Sequence, residues 1–138
     1  MRIIHFLMVA VVALTAMPAA AATITPEGEA AAAIGTKWLT LLDEQKYEES
    51  WKQAGSMFRE QVSEEQWLGA LKASRGPLGG LVSRKATRVD FTTTLRGAPD
   101  GEYCIIHYTT ELKAKTITER LTLVKEDGAW QVSAYAIH

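Results

Sequence analysis

The sequence predicts an α+β protein in which N-terminal helices pack on one face of a curved, four-stranded antiparallel sheet, giving a cone-like shape. Apolar residues recur at helical spacing before Gly76, whereas from Leu81 onward the apolar period is two and threonine, valine and aromatic residues become frequent. Helices that all precede the strands indicate α+β order, because parallel α/β folds alternate the two elements. The chain has 138 residues, 47% of them hydrophobic, which suffices for one core.

Residues 1–22 have the pattern of a secretory signal peptide. One arginine gives a positive head, an apolar run spans residues 6–17, and a proline with four alanines supplies an A-x-A cleavage site. A helix of about 12 residues reaches only ~18 Å, so the run is too short to be a permanent anchor in ~30 Å of hydrocarbon. We expect cleavage near Ala22, a single mature domain over residues 23–138, and a periplasmic or secreted location.

Three helical segments are predicted before the sheet. The first spans residues 26–44 and follows Thr25, an N-cap candidate, with proline at its first position. A second, short segment contains Trp51, and the residues after it are interpreted as filling the gap to the next element. The third begins at Ser63, which opens a capping-box pattern, and ends at Gly76-Pro77, because proline cannot continue the helical hydrogen bonds.

Turn residues then separate four predicted strands. Their ranges are 81–95, 102–112, 116–125 and 129–137. Asp127-Gly128 is a strong signal for a tight hairpin, and three short connections in succession favour an antiparallel meander. The lone Cys104 lies in the second strand. We interpret it as a buried strand residue, since no cysteine is available for an internal disulfide and no Cys/His constellation supports a catalytic thiol.

Several function classes lose support from what the sequence lacks. It contains no glycine-rich phosphate loop, no H-E-x-x-H motif, no paired cysteine ligands and no G-x-S-x-G elbow, so we expect no cofactor and no metal. A net charge of −1 without a basic cluster argues against a nucleic-acid partner. His107 stands alone on a strand, whereas general acid–base catalysis needs a partner that orients the imidazole.

Glu119 interrupts the pattern of the third strand, because it shares a face with the apolar residues of that strand. If this face is the core, a carboxylate is buried, and a buried carboxylate needs a cation or hydrogen bonds. The nearest cations are Arg75, at the end of the third helix, and Arg84, at the start of the sheet. A planar guanidinium suits a bidentate contact with Glu119 or with a bound carboxylate.

Two interpretations of this set remain open. The structural one is an internal Arg–Glu pair that orients the helices on the sheet, and we favour it because internal ion pairs imitate functional sites. The functional one is a ligand pocket between helices and sheet, with aromatic walls and a polar end. The candidate ligand-binding residues are Trp51, Trp67, Arg75, Arg84, Glu119, Trp130 and Tyr135.

Residues along the whole mature chain resemble one bacterial family. The matching residues are Trp38-Leu39, Asp43, Trp51, Gln66-Trp67, Arg75, Pro77-Leu78-Gly79, Ser83-Arg84, Pro99-Asp100-Gly101-Glu102-Tyr103, Glu119, Asp127-Gly128, Trp130 and Tyr135. As a set they resemble the family catalogued as domain of unknown function (DUF) 4019. The chain departs from that pattern at Arg96, where a proline is expected, and at Ala134, where a glycine is expected.

The resemblance implies a small exported protein with no established activity. It also implies a fold similar to the nuclear transport factor two-like (cystatin-like) cone, which hosts both enzymes and binding modules, so the fold does not choose the function. Our leading hypothesis is a non-enzymatic periplasmic module that binds a small ligand in the helix–sheet pocket or assists an envelope protein.

Two alternatives belong to other classes of function. The first is a small isomerase or hydrolase in which Glu119 or Asp90 acts as base and Tyr135 or His107 as acid, an analogy that rests on the fold alone. The second is a protein-interaction domain that forms a homodimer through its exposed sheet face, which carries Tyr103 and Ile105. An apolar patch there would support the second alternative.

Overall fold

Four helices precede four strands in the computed structural model, which describes residues 25–138. The elements are α1 (Pro26–Asp43), α2 (Tyr47–Gln53), α3 (Ser56–Gln61), α4 (Glu64–Ser74), a 3-10 turn (Gly76–Leu78), β1 (Leu81–Thr92), β2 (Tyr103–Leu112), β3 (Thr116–Glu126) and β4 (Ala129–Ile137). The α+β class predicted from the sequence is confirmed. The signal-peptide prediction, including cleavage near Ala22, falls outside the described residues.

The caps that the sequence predicts begin two of the helices. The side chain of Thr25 accepts a hydrogen bond from the Gly28 amide at 3.1 Å and starts α1. At α4, Ser63 and Gln66 form both bonds of the capping box. Each cap satisfies amide groups that the first helical turn leaves without partners.

The segment after Trp51 differs from its prediction, because it forms a separate helix, α3. Ala54 and Gly55 are extended and interrupt the helical path between α2 and α3. The Gly55 amide donates to the carbonyl oxygen of Val132 in β4 at 2.8 Å. A side chain at residue 55 would meet Gln131 at 2.8 Å, so the close approach of β4 requires glycine there. The break between α2 and α3 is therefore caused by a tertiary contact, the approach of β4 to Gly55.

The sheet is an antiparallel meander with the strand order β1-β2-β3-β4. Its first strand ends three residues earlier than the predicted Leu95. The Thr92 hydroxyl accepts from the Thr94 amide at 3.3 Å, and the Gly101 amide donates to the Thr93 carbonyl at 3.0 Å. Such local bonds compete with strand pairing. Residues 93–101 consequently form a loop.

An aromatic cluster fills the space between the helices and the sheet. We define it as Trp38, Phe58, Trp67 and Tyr135. Ring centroids lie 4.9 Å apart for Phe58 and Trp67, and 5.6 Å apart for Trp38 and Tyr135. The indole nitrogens of Trp38 and Trp67 both donate to Ser50, at 2.8 and 2.9 Å. The cluster joins α1, α3 and α4 to β4.

The opposite face of the sheet is only partly covered. The loop of residues 93–101 packs over Tyr103, which is 1% exposed and donates to the Pro99 carbonyl at 2.5 Å. Ile105, on the same strand, is half-buried.

Among residues 25–138, no helix is both long and apolar enough to cross a membrane.

Candidate functional site

Four charged side chains meet where the ends of α1 and α4 reach β1 and β3. We call them the charge ring: Asp43, Arg75, Arg84 and Glu119. Arg75 donates to Asp43 at 2.6 Å and to Glu119 at 3.0 Å. Arg84 donates to both oxygens of Asp43, at 2.7 and 2.8 Å, and to Glu119 at 2.8 Å. Positive and negative groups therefore alternate around a closed ring.

Local structure aims each member of the ring inward. Glu119 lies on the helix-facing side of β3, as its strand periodicity predicts, and is fully buried. Arg84 lies opposite Thr110 in the β1–β2 register, on that same side of the sheet. Arg75 caps the C-terminal end of α4, and Asp43 is the last residue of α1. Two helix ends and two strands thus supply the four charges.

Every oxygen of the Glu119 carboxylate is engaged. Besides the two guanidinium groups, the hydroxyls of Thr110 and Tyr135 donate to it. This set satisfies the requirement that a buried carboxylate be fully hydrogen-bonded. It also leaves no lone pair open to a substrate, which a general base must reach directly or through one water. The geometry gives Glu119 an architectural role.

Electrostatics favour the charged forms of Asp43 and Arg84. Burial alone would raise the pKa of Asp43, but hydrogen bonds and charge from Arg84 and then from Arg75 outweigh it and hold that pKa below its ordinary value. Burial opposes the charge of Arg84, yet its bonds to Asp43 and Glu119 raise its pKa. Burial, followed by the adjacent Glu119 charge, raises the pKa of Tyr135 well above its usual range, so its hydroxyl remains a donor.

The structure assembles part of the predicted site set and leaves part of it dispersed. Arg75, Arg84, Glu119 and Tyr135 come together, and Trp67 packs 6.0 Å from Tyr135 between ring centroids. The other two tryptophans are dispersed. Trp51 donates to the Val62 carbonyl at 2.8 Å. Trp130 packs against Phe91, with ring centroids 6.1 Å apart. The assignment of the set to ligand binding stays a prediction.

Asp43 and Thr110 complete the site and were not among the predicted site residues. Asp43 had entered the sequence argument only as part of a family pattern. One signal identifies it in retrospect: a carboxylate at the C-terminal end of a helix opposes the helix dipole and therefore needs a compensating cation. Two arginines supply that compensation here. Thr110 carries no comparable signal, because threonine is ordinary in a strand.

The other candidate acid–base residues do not form a site with Glu119. Asp90 pairs with Arg88 on its own strand at 2.6 Å. His107 lies opposite Arg120 in the β2–β3 register, on the face of the sheet away from the helices, whereas Glu119 lies on the face toward them. Of these acid–base candidates, only Tyr135 contacts Glu119, and its hydroxyl donates to the carboxylate beside the two arginines.

A separate cleft opens between α3, the loop of residues 93–101, and the last two strands. Its volume is about 490 Å³. The lining residues are Met57, Gln61, Leu95, Arg96, Gly97, Ala98, Tyr103, Arg120, Thr122, Ser133, Ala134, Tyr135 and Ala136. We call it the arginine cleft, because Arg96 and Arg120 are its charged side chains. Neither forms an ion pair with any residue of the described range 25–138.

Within residues 25–138, no group of three or more His, Cys, Asp or Glu side chains is placed to hold a metal ion.

Comparison with known proteins identifies the family. No curated protein matches the chain. The family model described as a protein of unknown function, DUF4019, matches residues 34–135, which include the whole charge ring. Because that match covers most of the chain, the protein belongs to the DUF4019 family.

Proposed function

We propose that this protein is an exported, non-enzymatic module that binds a small organic anion in the arginine cleft. The observation that carries the proposal is the pair of guanidinium groups, Arg96 and Arg120, which line one cleft without a carboxylate partner in the described chain. Guanidinium groups recognise carboxylate and phosphate oxygens through charge-assisted hydrogen bonds. Export is inferred from the signal-peptide pattern of residues 1–22.

The remaining lining fits an anion that also has an apolar part. Leu95 and Met57 offer apolar contact, and the small side chains of Ala134 and Ala136 leave room above the sheet. A volume of about 490 Å³ lies within the usual range for small-molecule sites.

The absence of a suitable acid or base in the lining supports a binding role. No Asp, Glu, His or Cys is among the lining residues of this cleft. Its two tyrosines are engaged elsewhere, since Tyr103 donates to Pro99 and Tyr135 to Glu119. General acid–base catalysis works best with a group whose pKa lies near the operating pH. The cleft offers no such group for a reaction.

The charge ring is the weaker place for the ligand. Arg75 and Arg84 already bond to Asp43 and Glu119, so an incoming anion would have to displace a buried carboxylate. Leaving that carboxylate unpaired costs several kcal/mol, about 3–5 by the measured range for broken buried pairs. An anion that binds Arg96 and Arg120 in the arginine cleft displaces no carboxylate, so its binding carries no such cost.

Native mass spectrometry of protein purified gently from the periplasmic fraction tests the proposal. We expect a chain that begins at Thr23 and carries a stoichiometric small-molecule adduct. Calorimetric titration with benzoate, and with uncharged benzamide as the comparison, then measures anion preference. Arg96 and Arg120 are exposed, so loss of one ionic hydrogen bond of about 1 kcal/mol predicts weakening of roughly fivefold in Arg96→Gln or Arg120→Gln.

Arg59→Gln is the matched control, because Arg59 lies on α3, is exposed and does not line the cleft. It should bind benzoate as the unmodified protein does. Binding that is equally strong in all three variants would contradict the cleft assignment, as would the absence of both adduct and benzoate binding. The same spectra count subunits and so distinguish a monomer from the alternative homodimer.

A further inference from the structure

We propose that a second cleft of this protein binds an organic ammonium group. The cleft has a volume of about 440 Å³ and lies where the start of α1 meets the end of β1 and the starts of β2 and β4. Its lining residues are Glu27, Phe91, Thr92, Thr93, Glu102, Tyr103 and Trp130. We call it the aromatic cleft. It shares only Tyr103 with the arginine cleft and has the opposite charge.

The lining combines the two groups that recognise organic cations. Glu27 and Glu102 supply negative charge, and Phe91 and Trp130 supply aromatic faces, with ring centroids 6.1 Å apart. A cation within about 6 Å of an aromatic centroid is attracted by the negative face of the ring. Lys125 balances the charge of Glu27, and the charge of Glu102 leaves the cleft negative, so it repels an anionic ligand and attracts a cationic one.

The protein already holds one ammonium group by this chemistry. Lys125 places its Nζ atom 5.5 Å from the centroid of the Trp130 ring and forms an ion pair with Glu27. The hydrogen bond to Glu27 is the main cause that raises the pKa of Lys125, and the charges of Glu27 and Glu102 add to it against the effect of burial. An intramolecular ammonium thus shows which ligand chemistry these side chains accept.

Two groups of the cleft remain available to a second ammonium. The Glu102 carboxylate forms neither an ion pair nor a side-chain hydrogen bond with any residue of the described range. Phe91 is 48% exposed, so the part of its ring that does not pack on Trp130 is open to a ligand. A ligand ammonium can pair with Glu102 while its alkyl groups cover Phe91.

Trp130 adds a polar group to the aromatic cleft. Its side chain is 6% exposed, yet its Nε1 atom has no hydrogen-bond acceptor among residues 25–138. The other three indoles donate to Ser50 or Val62. Buried indole N–H groups usually have an acceptor, and a hydroxyl group beside the ammonium of a ligand can accept from this one. The Trp130 N–H also provides a spectroscopic signal for this one site.

The test follows the Trp130 indole N–H in two-dimensional ¹H–¹⁵N NMR spectra of the exported chain, with choline as the probe. The Trp130→Phe variant assigns the signal. We expect a saturable shift with choline and at least about a fivefold weaker response to 3,3-dimethylbutan-1-ol, the uncharged analogue of the same shape. Glu102→Gln should weaken choline binding by about fivefold or more. Glu60→Gln, at an exposed carboxylate outside the cleft, should not.

Lys125→Met is the decisive variant, because it should strengthen choline binding whereas Glu102→Gln should weaken it. Removal of the resident ammonium frees Glu27 and one face of Trp130, so choline should bind several-fold more tightly, about fivefold. Structural damage would weaken binding instead. No saturable shift, an equal response to the uncharged analogue, or unchanged binding in both Glu102→Gln and Lys125→Met would overturn the proposal. None of these results bears on anion binding in the arginine cleft.

Discussion

At the scale of single residues, Glu119 shows how a carboxylate becomes compatible with a core. It is fully buried beside Leu121 on β3, yet four donors from four different residues meet its two oxygens. Burial of the charge is costly, and the bonds offset that cost only while all partners remain in place. The stability of the site is therefore sensitive to the loss of any one partner.

Glu119→Gln should destabilise the protein by about 3–5 kcal/mol, because it leaves only Asp43 to balance the charges of Arg75 and Arg84 in a buried site. The free energy of unfolding is measured by urea titration. Glu111→Gln, at an exposed glutamate on the neighbouring strand β2, is the control and should change stability by no more than about 0.5 kcal/mol. A difference of less than about 1 kcal/mol between the variants would contradict the role assigned to Glu119.

Cys104 illustrates a residue whose behaviour the sequence predicts well. Its strand position and lack of a partner predict a buried, inert thiol. In the structure it is fully buried, which is the main reason that its pKa is raised to about 11. A thiol with so little thiolate at neutral pH is a poor nucleophile.

At the scale of elements, helix α1 lies unusually close to the sheet at Gly35. A Cβ atom there would lie 2.9 Å from Cδ2 of Leu121 and 3.1 Å from the hydroxyl oxygen of Tyr108. Distances this short require core side chains to move. The absence of a side chain at residue 35 therefore sets the distance between α1 and the centre of the sheet.

Gly35→Ala should cost about 1–3 kcal/mol of stability, since overpacking outweighs the helix propensity of alanine. Gly69→Ala is the matched control on α4, where a Cβ would have no heavy atom within 4 Å. That substitution should stabilise the protein by about 0.5–1 kcal/mol. Thermal and urea unfolding report both effects. Equal stabilisation by the two substitutions would show that α1 is not seated as described.

Elements with local signals were predicted well, and those without were not. The starts of α1 and α4 follow from the caps at Thr25 and Ser63, and the β3–β4 hairpin follows from Asp127-Gly128. Helix α3 was missed because its boundary depends on the bond from Gly55 to Val132, far away in the chain. Sequence periodicity contains no information on such a contact.

At the scale of the whole molecule, the charge ring is one connection among four elements. It joins the ends of α1 and α4 to β1 and β3 through two positive and two negative groups. Because the members come from distant parts of the chain, the ring forms only when helices and sheet are assembled. It should therefore respond to pH as a property of the complete fold.

The free energy of unfolding should decrease in acid as Asp43 becomes protonated. Its pKa in the folded protein lies below the ordinary value of 3.8, so the unfolded chain binds protons first as pH falls. The contribution of Asp43 is complete above about pH 4 and is lost as pH falls from there through the folded pKa. Urea titrations between pH 2.5 and pH 7 measure this dependence. Asp43→Asn should show a smaller slope below pH 4, and an unchanged slope would contradict the assignment.

Opposite charges are also separated across the molecule. Arg96 and Arg120 line one cleft, whereas Glu27 and Glu102 line another, although the net charge of the chain is only −1. Composition averages over such separation, so it gave no sign of either cleft. The sheet register and the path of the 93–101 loop create both.

Features that depend on neighbouring residues could be predicted before the structure: the α+β class, the helix caps, the hairpin, and the inward position of Glu119 with Arg75 and Arg84 as its cations. These follow from periodicities of two and 3.6 residues and from local hydrogen bonds. Packing of distant segments, in contrast, brings Asp43 into the ring and places Arg96 and Arg120 in one cleft. Such contacts depend on how distant segments pack, and no local pattern encodes that geometry.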